Sequence, residues 1–378
     1  MGNMAAAIGE SKGLGFYRPA WMEIRWAALE RNYLTLKNHL VSKSCQVLAV
    51  VKANAYGHGA VEVARRLEFL GARFFGVSSI EEGIALRESG LEGRILLLGS
   101  AYPFRESFEA CLRHRLIATI SSLEGARQLA RFMGSRDEPA GVHLKMETGM
   151  QRIGARPETC VEILKTLAEA PNVRCEGVYT HLASARDQAL TRAQLAEFER
   201  GLTLLFGQGP RPLVHAANSA ATVRAPEAQL DLVRPGLALY GQMAGFEPIM
   251  TIKTRIVFLK KVPVGTRVSY EGTYITSRPT VLATLPIGYG DGLPMAASGK
   301  AHVLIAGKPA PVAGLITMDM MMVDVTDAGP VYVGDEVVVA GPQGQERVAP
   351  ADWAKWGKTS VYQFLCGLGV PRLPKVYL

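Results

Sequence analysis

The chain has 378 residues, 48% of them hydrophobic and 20% charged, with a net charge of +8. The length suits about two domains, and the composition excludes a disordered or low-complexity chain. Lys and Arg are spread along the chain and do not run together. That argues against nucleic-acid or membrane binding and fits a basic enzyme for an acidic or phosphorylated ligand.

The N-terminal stretch MGNMAAAIGESKGLGFYR lacks a basic start and a long apolar core, so no secretion signal is expected. No run of 18 apolar residues occurs, so no membrane span is expected either. The five cysteines are odd in number and contain no CxxC pair. They predict no disulfide framework and no metal site, and they fit a reducing, cytoplasmic setting.

From about residue 26 to about 245, short apolar runs alternate with amphipathic stretches. The predicted strands are Val47–Val51, Phe74–Val77, Ile95–Leu98, Leu116–Ile120, Val142–Met146, Val173–Tyr179, Leu213–His215 and Leu232–Arg234. Between them the 3.6-residue period predicts helices such as Ala60–Leu70, Ile80–Glu88, Leu123–Phe132, Glu158–Leu167 and Ala189–Phe206. Continuous apolar strands alternating with helices predict a parallel sheet covered by helices, and eight such units suit a closed (β/α)8 barrel of the TIM type. The open doubly wound alternative wants a Gly-rich phosphate turn after its first strand, and no GxGxxG stands there. After about Phe246, Thr, Val, Ile and Tyr rise and turns become frequent, which predicts a mostly β domain. Short helices are expected near Pro350–Trp356 and Ser360–Leu365. The expected domains are therefore 20–246 and 247–378, with residues 1–19 packing against the second.

The strongest local feature is AVVKANAYGHGA, in which a buried strand runs straight into Lys52. Barrel strands end on the active-site face, so Lys52 is expected at that mouth. A lysine there either forms a Schiff base with a carbonyl substrate or cofactor, or simply reaches out to solvent. Other strand ends decide between the two. HLKMETGMQRIG brings Lys145 and Arg152, YTHLAS brings His181, HAANSAA brings Asn218 and Ser219, and LVRPGLALYG brings Arg234 and Gly236. Taken singly these could be a core histidine, a helix cap and a surface ion pair. Together they suit an anion, held by a hydroxyl and backbone N–H groups at Gly236.

These motifs resemble the alanine racemases over nearly the full length, from RPAWMEIRWAALERNY to VPRLPKVY, with SYEGTY, LPIGYGDG and MDMMMVDVT in the family's order. The resemblance implies that Lys52 carries pyridoxal 5'-phosphate and serves as a base on one face of the substrate. It implies that Tyr270 is the base on the other face, reaching the site from the second subunit of a homodimer. It implies that L-alanine and D-alanine are interconverted, supplying D-alanine for peptidoglycan. Arg234 resembles the arginine facing the pyridine nitrogen, His181 its supporting histidine, and Arg152 the arginine at the phenolate oxygen. Lys145 matches a lysine that is often carbamylated. Tyr56, Asn218, Ser219, Gly236 and Tyr362 match cofactor-holding positions, most of them at the phosphate. Arg152, Tyr289, Met318 and Asp319 match the substrate end.

This chain departs from the family in three places: Glu271 follows Tyr270, Leu315 stands for an arginine, and Thr317 stands for a cysteine. A broader amino-acid or serine racemase on the same scaffold is the alternative reading. A barrel-plus-β decarboxylase would need a catalytic cysteine in the β domain, and Cys366 lacks that setting. A single-barrel pyridoxal-phosphate carrier would lack the β domain altogether.

Overall fold

The computed structural model describes residues 17–134, 136–369 and 372–378. They form two units. One comprises Glu30–Ala55 and Ala60–Phe246; the other takes the described residues up to Leu29, Tyr56–Gly59 and Glu247–Leu378.

The first unit is a closed barrel of eight parallel strands. In chain order these are β1 (Gln46–Val50), β2 (Phe74–Val77), β3 (Arg94–Leu97), β4 (Leu116–Ile120), β5 (Ala140–Lys145), β6 (Val173–Tyr179), β7 (Leu213–Asn218) and β8 (Leu232–Arg234). Every residue of β2 and β4 is buried, as expected of strands covered on one side by helices and filling the barrel on the other. β8 pairs with β1 through Gln46–Leu232 and Val47–Val233, which closes the ring. Ser79 and Ser122 cap the helices Ile80–Glu88 and Leu123–Met133 by accepting backbone N–H groups two places into each helix, so each chain reversal is written locally. The helix Arg105–Arg113, absent from the sequence-based expectation, fills the β3–β4 crossover.

The second unit is built on a seven-stranded sheet. Met250–Arg255 lies at its centre, pairing with Glu336–Gln343 on one side and Ala20–Ile24 on the other. Ala20–Ile24 in turn pairs in parallel with Lys375–Tyr377. The expected barrel start at residue 20 is therefore corrected. Residues 20–24 are a strand of the β unit, and backbone pairing across more than 200 positions puts them there. Pro19 also belongs to it, its carbonyl accepting from the Arg255 N–H and the Thr254 hydroxyl. Of the expected packing of residues 1–19, positions 1–16 lie outside the described residues. A three-stranded sheet (Phe258–Val262, Thr280–Leu285, Met321–Asp324) and a two-stranded ribbon (Arg267–Val268, Tyr274–Ile275) complete the unit's sheets.

Candidate active site

β1 delivers Lys52 through an unusual turn. Ala53, Asn54, Ala55 and Tyr56 all have φ between 51° and 53°. Left-handed backbone costs a non-glycine residue about 1–2 kcal/mol, so the turn persists only because its surroundings hold it. The Ala55 N–H donates to the Val51 carbonyl at 2.8 Å, and the Ala60 N–H donates to Asn54 Oδ1 at 2.8 Å. Glu82 accepts from the Ala53 N–H on one oxygen and from the Ser78 N–H and hydroxyl on the other. One carboxylate thus ties the ends of β1 and β2 together beneath Lys52. Ala53→Gly should stabilise the folded chain by about 1 kcal/mol, because glycine adopts φ > 0 without the steric penalty. Urea denaturation measures this; a loss of stability would mean the turn is not left-handed in solution.

The carboxyl ends of β5, β6 and β8 bring Lys145, His181 and Arg234 to the same region. Arg234 is 4% exposed. Its guanidinium donates to the Thr180 carbonyl (2.7 Å), the Ala216 carbonyl (2.9 Å), His215 Nδ1 (2.9 Å) and His181 Nδ1 (3.4 Å). Burial lowers it to about 10, which leaves it charged at neutral pH. The Tyr179 ring lies beneath two cations, with Lys145 Nζ 5.2 Å and Arg234 Cζ 5.3 Å from its centre. His215 stacks on that ring at 4.7 Å. Burial, then the charges of Arg234, Arg152, Lys145 and Lys52, push His181 down to about 3, so it is neutral at pH 7. Since Arg234 only donates, His181 accepts on Nδ1 and carries its proton on Nε2.

Lys145 feels three cations and one anion. Burial first, then Arg152, Arg234 and Lys52, bring it down to about 8, opposed by Glu147. Glu147 is held ionised by the backbone N–H groups of residues 149–152, which outweigh the effect of its own burial. A lowered lysine pKa means that the unfolded chain binds the proton more tightly. Stability should therefore rise with pH from about 8 to 10.5. Denaturation in CO2-free buffer should show that rise, and Lys145→Met should flatten it and be the more stable chain at pH 7.

Asn218 and Ser219 follow one another at the end of β7 and turn to different partners. Asn218 caps the helix Ser219–Arg224, its Oδ1 accepting from the Ala220 and Ala221 N–H groups at 3.1 Å each. Its amide donates to the Leu182 carbonyl at 3.4 Å. That side chain ties the start of the helix to the chain just past the end of β6. Ser219 is buried, and its Oγ accepts from the Gly236 and Ala238 N–H groups at 2.8 and 3.3 Å. Its hydroxyl proton stays available to an acceptor.

The remaining expected residues belong to the β unit. Tyr56 and Tyr362 lie together, ring centres 5.9 Å apart. Burial, then Tyr362 and Cys366, raise the Tyr56 hydroxyl above its ordinary value. Tyr289 and Met318 are joined by the backbone, Gly290 N–H donating to the Met318 carbonyl at 2.9 Å. Asp319 pairs with Arg372 at 2.5 Å. Tyr270 is 71% exposed, on a short turn where Ser269 and Glu271 both have positive φ. Leu315 gives that turn its carbonyl, accepting from the Ser269 hydroxyl at 2.7 Å. Residues that the motifs did not mark as functional are Glu82, His143, Glu147, Tyr179 and His215. Their only signal was position, since three of the five lie on barrel strands, Glu147 lies two residues past the end of β5, and Glu82 lies on the helix after β2.

A parallel barrel whose strand ends carry a lysine, a buried arginine and further cations defines an enzyme of the (β/α)8 class built for an anionic ligand. The family patterns described as "Alanine racemase, N-terminal domain" and "Alanine racemase, C-terminal domain" match residues 24–244 and 249–377. The chain belongs to the alanine racemase family, a family of isomerases. It is 42% identical over 371 residues to an alanine racemase of Symbiobacterium thermophilum, covering 95% of this chain and 97% of that one. It is 39% identical over 373 residues to that of Halothermothrix orenii, covering 95% and 97%. A solved alanine racemase of Clostridium difficile superposes with a TM-score of 0.90 at 34% identity, covering 96% of each chain.

Proposed function

We propose that this protein interconverts L-alanine and D-alanine with pyridoxal 5'-phosphate held covalently by Lys52. The observation that carries the reading is the donor set. Arg152, Arg234 and Lys52 all act on Lys145, with Glu147 opposing, and those four cations together act on His181, while Ser219 stands ready with a buried hydroxyl beside two backbone N–H groups. Such a set has a surplus of positive charge and suits a phosphorylated, phenolic cofactor. When bound, the cofactor withdraws electrons from the amino acid's α-carbon and so acidifies its α-proton.

The chain's own residues do the rest. Ser219 and the Gly236 backbone would hold the phosphate, and Tyr56 and Tyr362 are the positions that the family resemblance assigns to it. Arg152 binds the phenolate oxygen. Arg234 would stand at the ring nitrogen, where a group that only donates and stays charged would supply no proton to that atom. Racemisation then needs a proton taken from one face of Cα and returned to the other. Lys52 Nζ serves one face and Tyr270 Oη of a second copy serves the other, which makes the homodimer part of the site. Tyr289, Met318 and Asp319 of that second copy frame the substrate end. Lys145, partly neutral near pH 7, attacks CO2 through its nitrogen lone pair and loses a proton to solvent. The resulting carbamate is an anion that pairs with Arg152.

The five free cysteines support a reducing, cytoplasmic setting, and no helix among the described residues is long and apolar enough to cross a membrane. D-alanine for peptidoglycan is the product this reading supplies. Racemisation followed polarimetrically from L- and D-alanine, with L-serine and L-lysine alongside, tests it. Turnover of alanine well above the other two is expected. Equal turnover of all three would establish the broader racemase, which the family match does not favour.

A further inference from the structure

Behind Arg234 two buried histidines form a line into the barrel interior. His215 Nδ1 lies 2.9 Å from Arg234 Nη1, and His215 Nε2 lies 2.9 Å from His143 Nδ1. Both rings are 0% exposed. A guanidinium has only protons to offer, so His215 must accept on Nδ1 and carry its single proton on Nε2. That proton points at His143 Nδ1, which must accept in turn and keep its own proton on Nε2. One charged group at the barrel mouth thereby dictates the proton pattern of both rings.

Packing enforces the arrangement. Tyr179 stacks on His215 with a 3° interplanar angle, and its hydroxyl is anchored 2.9 Å from the Thr119 hydroxyl. On β6, a β-carbon at Gly177 would stand 2.5 Å from Cε1 of His143, so only glycine admits that ring. The far end carries a cost: His143 Nε2 is buried with no hydrogen-bond partner among the described residues. A histidine serving the core alone would be expected to satisfy that donor. Here it is left over because His215 Nδ1 is committed to Arg234 and the next two ring nitrogens to each other.

We infer that His143 is a positioning residue for the racemisation, fixing the orientation of Arg234 through His215. With His143 accepting, His215 has one stable tautomer and one ring orientation. Without it, the His215 Nε2–H is buried and unpaired. A tautomer exchange that relieved this would turn an N–H towards Arg234, a ring flip would turn a C–H there, and either would remove the acceptor that holds the guanidinium in its setting. The effect on turnover rests on the cofactor reading above; the proton pattern does not.

The test uses the full-length chain labelled with 15N-histidine, with and without pyridoxal phosphate, beside His143→Leu and His143→Gln. The parent chain should show His143 and His215 each protonated on Nε2 alone. His143→Leu should lower kcat about tenfold, the rate equivalent of one buried hydrogen bond, with KM changed less than about twofold, and His215 should lose its single-tautomer signal. His143→Gln, whose side-chain oxygen accepts the same proton, should restore both. A parent His143 protonated on Nδ1 would overturn the inference even if neither variant folds. Equal impairment of the Leu and Gln variants would reduce His143 to packing and overturn it too, as would wild-type kcat in His143→Leu. A parent chain with the expected tautomers but no racemase activity would sink the functional reading and with it the role in racemisation, and would leave only the proton pattern standing.

Discussion

Lys52→Ala should abolish both cofactor retention and racemisation. The side chain leaves the end of β1 on a left-handed turn that Glu82 and Asn54 hold in place, so no neighbouring lysine is delivered to that point. Lys145 is the nearest rival in kind. It is 4% exposed and set against the Tyr179 ring on β5, where it cannot follow the path of the β1 turn. Borohydride reduction of the loaded protein, then proteolysis and mass spectrometry, should place the label on Lys52. A label on Lys145 would overturn the assignment. Loss of activity from removing a covalent cofactor anchor should be several orders of magnitude, since electron withdrawal from Cα goes with it.

Tyr270→Ala should keep the cofactor and lose most of the activity. Tyr270 is 71% exposed on its own chain, on a turn of the β unit. An exposed aromatic on a turn held by two positive-φ residues is well placed to enter a second copy's site. Proton removal from L-alanine should suffer most and exchange from D-alanine less, because only the face served by the tyrosine is emptied. Overall racemisation must still slow in both directions, since the equilibrium between enantiomers is fixed. Mixing inactive Lys52→Ala and Tyr270→Ala chains should restore activity. In a mixed dimer one site inherits both defects and the other neither, so about a quarter of wild-type sites should return from equal amounts. No recovery despite demonstrated subunit exchange would place both bases on one chain.

The alternation of apolar runs and helical periods was enough to read the barrel strands, because parallel strands buried on both sides are continuous in sequence. β8 and the helix Ile80–Glu88 fall where the pattern places them, and so does Lys52 at a strand end. Motif resemblance supplied the family. The unit boundary was not legible. Ala20–Ile24 is an ordinary amphipathic strand by composition, and only its pairing with Met250–Arg255 and Lys375–Tyr377 decides which unit it joins. The left-handed turn was also hidden, since Ala53, Asn54 and Ala55 carry no glycine signal and the turn is imposed by a carboxylate on a later helix. Asn218 and Ser219 are adjacent in sequence, yet one faces the start of its own helix while the other receives N–H groups from the chain beyond β8. His143 and His215 look like core histidines until the barrel closes and brings β5 and β7 to either side of β6. Local periodicity and short motifs are written in neighbouring residues, so sequence alone determined the barrel and the lysine at the end of its first strand. Hydrogen-bond partners that are 72 positions apart, as His143 and His215 are, exist only once the ring of strands has closed, and so only the tertiary structure decided which protons Arg234 controls.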